Sequence, residues 1–206
     1  MSTTEIYAFG KDGYAYLYSE TRNAWRGGMA IWQLLEERHL PMYIPEWVDA
    51  TRWYRPGMTD EDMIRHIGFR PTRCTPHFKS KRDPMQDIWA LQHNKEIPLH
   101  ERICLYTTLD KALVKRENIP DVIEAFRKFG GETSLPEQAD ILEKMLSEPD
   151  IIAVGWNQTS VNADNWETLG EYDEENDVNK PYNCLTGKEH FWVFDELEQE
   201  GKNENH

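Results

Sequence analysis

The chain has 206 residues and a formal net charge of −14, with 39% apolar and 12% aromatic residues, a length and composition that fit one domain with a well-packed core. Acidity on this scale argues against general nucleic-acid binding and fits docking on a basic partner. No run of about 20 apolar residues could span a bilayer, and the scattered Cys74, Cys104 and Cys184 give no disulfide framework. With no apolar leader at the N-terminus, the expectation is a cytoplasmic protein with reduced thiols.

Glu5–Gly10 and Tyr14–Ser19 alternate as strands around Lys11-Asp12-Gly13, which predicts a hairpin with Tyr14, Tyr16 and Tyr18 on one side. Asn23 can cap a helix over 24–39. Trp25, Met29, Trp32 and Leu35 recur at helical spacing and predict its buried stripe. Gly27 and Gly28 would cost that helix about 1 kcal/mol each relative to Ala. They suit close packing on a sheet, or a ligand approaching the backbone at Arg26–Gly28.

Residues 42–100 read as a helical, aromatic- and Arg-rich insertion. Short helices are expected at 46–51, from Thr59 and over 84–93. An apolar run at 103–108 predicts a strand, and 112–115 a second. Asn118 and Pro120 open a helix closed by Gly130-Gly131. A capping box, Ser134-Leu135-Pro136-Glu137, starts another that runs to about Ser147. Residues 151–155 predict a central strand, and 190–194 the last one.

The fold expected is α+β, a mixed or antiparallel sheet of about five to seven strands. Two ββα units, near 5–40 and 102–129, would build it, with helices packed on the sheet. Residues 1–195 form the single domain, with an acidic loop at 164–180. Residues 196–206 form a tail with the composition of disorder.

Four groups of residues carry candidate chemistry. Cys74, His77, His100 and Cys104 have spacings compatible with tetrahedral zinc, although a Cys inside an apolar strand is ordinarily core. No other cofactor is expected. Arg65, Arg70, Arg73, Lys79, Lys81 and Arg82 lie in a stretch without Asp or Glu, next to aromatic residues. Such a block can hold phosphates and stack bases, or it can pair with the protein's own acids. Asp164, Glu167, Glu171, Asp173, Glu174, Glu175 and Asp177 form a run without Lys or Arg. That run is either a solvated face or a surface imitating a phosphate backbone. Trp156, Asn157 and Gln158 leave the end of the expected central strand and could line a small-molecule pocket.

Nucleotide-loop, dinucleotide and Gly-x-Ser-x-Gly signatures are all missing. Being small, acidic and Trp-rich without enzyme motifs, the chain resembles accessory proteins of bacteriophages and mobile elements. That resemblance implies a non-enzymatic protein that binds a protein partner and inhibits or regulates a nucleic-acid-handling machine. The alternatives are a nucleic-acid or nucleotide binder using 65–82, and a hydrolase-type enzyme whose site is assembled from distant residues.

Overall fold

A computed structural model describes residues 2–24, 26–40, 84–159 and 165–202. The chain divides into two compact units, Met1–Trp32 with Gln92–His206, and Gln33–Leu91. The second unit therefore covers most of the expected insertion. Its described parts are the later turns of helix α1 (Gly28–His39) and helix α2 (Pro84–Ala90), which bury Leu35 and Ile88. The helices expected at 46–51 and from Thr59 lie outside the described residues.

The first unit is built on a five-stranded mixed sheet. Its strands are β1 (Thr3–Gly10), β2 (Ala15–Arg22), β3 (Ala112–Lys115), β4 (Ile151–Gln158) and β7 (Phe191–Trp192), in the spatial order β2-β1-β4-β3-β7. All neighbours are antiparallel except β3 and β7, which run parallel. Two-residue strands β5 (Tyr172–Asp173) and β6 (Val178–Asn179) pair as a separate hairpin. Four helices complete the unit beside the start of α1. They are α3 (Leu99–Tyr106), α4 (Ile119–Phe129), α5 (Leu135–Leu146) and α6 (Val193–Lys202).

Register assigns the two faces of the sheet. Thr4, Ile6 and Ala8 of β1 stand opposite Gln158, Trp156 and Val154 of β4. This face takes the helices, and Phe126 of α4 meets Trp156 with ring centroids 6.0 Å apart. Glu5, Tyr7 and Phe9 stand opposite Asn157, Gly155 and Ala153 on the other face. There the segment after β4 provides the cover. Trp166 sits edge-on to Phe9 and beside Tyr182, both at 5.3 Å, and its indole N–H donates to the Trp156 carbonyl at 3.0 Å. Gly155 makes this stacking possible, because a Cβ there would lie 2.7 Å from Leu113 Cδ2 and 2.9 Å from Trp166 Nε1. Both faces being covered, residues 6–9 of β1 and 151–156 of β4 carry no polar side chain except the Tyr7 hydroxyl and the Trp156 indole.

The α+β class stands, and the element order differs from expectation near residues 102–129. Of residues 103–108, expected as a strand, 103–106 belong to α3 and Thr107 is its C-cap. This helix buries every residue from Glu101 to Tyr106. A segment buried on all sides shows no 3.6-residue period and looks like a buried strand in sequence. The last strand also stops early, at Trp192, and α6 occupies ground expected to be strand and disordered tail. Asp195 and Glu196 fall in its first turn, where the helix dipole favours acids. Buried Val193 and the 2.7 Å Lys115–Asp195 ion pair tie it to the sheet.

Two smaller expectations change as well. Helix α1 starts at Gly28, so Gly27 and Gly28 sit at its entrance and do not interrupt it. Met29, expected in its buried stripe, is 60% exposed, while Ile31 faces inward. Tyr14 and Tyr16 are exposed on or beside β2, which is an edge strand.

Candidate functional site

The polar end of β4 is the first place where the sheet departs from apolar packing. Trp156 is core: its ring is buried against Phe126, and it offers no open stacking surface. Asn157 and Gln158 are both buried, on opposite faces. Gln158 closes the helix face. Its Oε1 accepts from the Thr4 hydroxyl at 2.7 Å and from the Gly28 backbone N–H at 3.3 Å. Thr4 Oγ1 also lies 2.6 Å from Asn23 Oδ1, and a hydroxyl has a single hydrogen to share between them. Asn23, expected as a helix cap, thus sits in a buried polar knot at the entrance of α1. The Arg26–Gly28 backbone is occupied by the protein's own side chains, since a Cβ on Gly27 would fall 2.3 Å from Asn23 Oδ1.

Asn157 faces the other way and meets charge. Its Nδ2 donates to Glu5 Oε2 at 2.6 Å, and the Tyr7 hydroxyl donates to the same oxygen at 3.2 Å. Burial, followed by the nearby Glu5 and Glu167 charges, pushes the Tyr7 hydroxyl far above the usual phenol range. Across β1, Glu20 of β2 stands directly opposite Glu5. Glu20, Glu5 and Asn157 therefore form one row over three strands on a single face. No donor among the described residues reaches Asn157 Oδ1.

The acidic run forms an excursion pinned at both roots. Trp166 and Tyr182 are buried together, and the Tyr182 N–H donates to the Trp166 carbonyl at 2.7 Å. Between them β5 and β6 form a narrow hairpin, closed by Asp177 in the left-handed region at φ 54°. Asp173 is spent internally. It pairs with Lys180 at 2.8 Å and accepts the turn N–H groups of Glu175 and Asn176. The Lys180 ammonium, with the Asn176 amide, holds its carboxyl well below the usual range. Asp177 accepts from the Tyr172 hydroxyl. Glu167, Glu171, Glu174 and Glu175 remain exposed, along with Tyr172 at 56% and Val178 at 49%. Asp164 lies outside the described residues.

The basic block, Arg65, Arg70, Arg73, Lys79, Lys81 and Arg82, lies wholly outside the described residues, as do Cys74 and His77. Of the other two zinc candidates, His100 is half-buried and Cys104 fully buried, one turn apart on α3. No group of three or more potential metal ligands occurs among the described residues.

Sequence reasoning missed two features. One is an open cleft of about 550 Å³, lined by Leu99, His100, Asp121, Glu124, Lys128 and Phe194. It is created by α3, which the apolar run at 103–108 disguised. The other is the Glu20–Glu5–Asn157 row, which depends on strand register. Comparison with protein-family models, with curated proteins and with solved structures found no match.

Proposed function

We propose that this is a non-enzymatic binding protein that engages a basic surface of a protein partner through the Trp166–Tyr182 excursion. A nucleic-acid-handling protein, whose groove is basic, fits that description. The observation that carries the reading is the hairpin's composition. It presents Glu171, Glu174 and Glu175 beside exposed Tyr172 and Val178, and its one Lys, Lys180, is bonded to Asp173. Acids alone are usually a solvated face. Acids around an exposed aromatic ring combine electrostatic steering with a desolvating anchor.

The test uses fluorescence anisotropy with an Arg- and Lys-rich peptide as probe, at low and at physiological salt. Binding is expected to saturate and to weaken with salt. It should be lost in a Glu171→Lys, Glu174→Lys, Glu175→Lys variant and drop about tenfold in Tyr172→Ala, as for an interface anchor. Equal binding by the charge-reversed variant would sink the reading. An unchanged affinity in Tyr172→Ala would reduce the hairpin to a generic polyanion and overturn it as well.

A further inference from the structure

We infer that the cleft lined by α3, α4 and α6 is a binding site for a short apolar peptide with free ends, about three residues long. The inference goes beyond the reading of the acidic hairpin, because none of the cleft's residues lies on that hairpin.

Three observations carry it. First, the cleft of about 550 Å³ has an apolar lining in place. That volume falls within the range of small-molecule sites. Ile103 and Ala125, both buried, line it with half-buried Phe194 and with Leu99, which is 56% exposed. A leucine left so open beside a cleft has apolar surface for an occupant to cover.

Second, α4 sets charge of both signs along the cleft. Asp121, Glu124 and Lys128 stand at i, i+3 and i+7 and so share one face of the helix, acids toward its start and the base at its end. Glu124 and Lys128 have the spacing at which acid and base pair on a helix. Yet neither of them, nor Asp121, forms an ion pair among the described residues. The helix dipole accounts for the order of these charges and not for the missing pair.

Third, the spacing selects a length. Asp121 and Lys128 lie about 10 Å apart along the axis, at about 1.5 Å per residue. An extended tripeptide, at about 3.3–3.6 Å per residue, spans about 10 Å from its ammonium to its carboxylate. Asp121 and Glu124 would take the ammonium, Lys128 the carboxylate, and the apolar lining the side chains between. A fatty acid would leave the two acids without a partner, and an alkyl amine would leave Lys128 without one.

The experiment is an NMR titration of the full, isotope-labelled chain, following the methyl signals of Leu99, Ile103 and Ala125. The probe is leucyl-alanyl-leucine with free ends, with the amine acetylated, with the carboxylate amidated, and with both ends blocked. The free peptide should saturate the signals at millimolar concentration. Each blocked end should weaken binding about threefold, the size expected of an exposed ion pair. In Lys128→Gln the amidated and free peptides should bind alike. In the Asp121→Asn, Glu124→Gln variant the acetylated and free peptides should do so; a groove selecting on apolar contact alone would show no such crossover. Leu99→Ser, at a position open enough to tolerate the change, should weaken every form about fivefold. Triglycine, which has the ends without the side chains, should leave the signals unmoved. Should the free tripeptide fail to saturate them, or should Lys128→Gln leave the effect of amidation intact, the inference falls. Equal affinity for the doubly blocked peptide would mean that the cleft takes an internal segment of a larger partner, and would overturn it too. The hairpin is probed with an Arg- and Lys-rich peptide, so the two readings can fail separately.

Discussion

His190 is held in its neutral form by the hydrogen bonds around it. The Tyr182 hydroxyl accepts the backbone N–H groups of Glu189 at 3.0 Å and His190 at 3.3 Å. Its own hydrogen is then left for His190 Nδ1 at 2.8 Å, so the ring proton sits on Nε2. Burial lowers the His190 pKa below 6.5, and Trp192 covers the ring edge-on at 4.8 Å. The unfolded chain therefore takes up this proton more readily than the folded one. The contribution to stability is complete above about pH 6.5 and is lost as pH falls through the lower, folded value. Denaturant unfolding measured from about pH 7.5 to 5.5 should show this decline, and His190→Gln should flatten it. None of this was legible in sequence. The tautomer depends on Tyr182, and no local pattern announces that two residues of an irregular segment will meet.

A single guanidinium organises the passage from α5 into β4. Arg116 donates to the carbonyls of Leu146 at 2.6 Å, Glu148 at 2.7 Å and Ile151 at 2.9 Å. The first of these closes the helix, whose last carbonyls have no partner within it. Arg116→Met keeps the stem and removes the donors. It should cost about 1–2 kcal/mol in equilibrium unfolding, since two part-buried carbonyls lose their donor. At this scale the sequence was informative wherever capping signals or amphipathic periods existed. Pro120 and Gly130 bound α4, Pro136 opens α5, β1 stood out by alternation and β4 as an apolar run. It misled wherever burial erased the period. The part of α3 from Glu101 to Tyr106, buried at every residue, looked like a strand. Helix α6, rich in acids, looked like a tail, although Val193 and the Lys115–Asp195 pair fasten its first turn. The candidate site was half legible for the same kind of reason. Asn157 was visible as a polar strand exit, but its partner Glu5 is set by the register of β1 on β4.

Over the whole molecule the dominant electrostatic fact is a net charge of −14. The described ion pairs are few and lie near the surface, each worth little by itself. Repulsion among unpaired carboxylates should therefore outweigh attraction. Added salt shortens the screening length to about 10 Å at 0.1 M. Raising sodium chloride from about 20 to about 200 mM should lift the thermal midpoint by a few degrees. A midpoint that falls with salt would mean that the ion pairs dominate. The acidic excursion concentrates this repulsion, which is consistent with its being anchored by Trp166 and Tyr182 and not by charge.

The spatial order β2-β1-β4-β3-β7 has a consequence in time. Strand β4 lies at the centre of the sheet, yet it is made about 140 residues after β1, the neighbour that needs it. At synthesis rates of about 5–20 residues per second, β1 waits roughly 7–30 seconds with only β2 beside it. During that interval Ile6, Tyr7, Ala8 and Phe9 are apolar on both faces, and one strand edge is unpaired. A two-stranded hairpin is marginal in water, and an open apolar edge invites pairing between chains. Soluble yield should therefore depend less on the finished protein's stability than on how well the nascent hairpin is shielded until Gln158 has emerged.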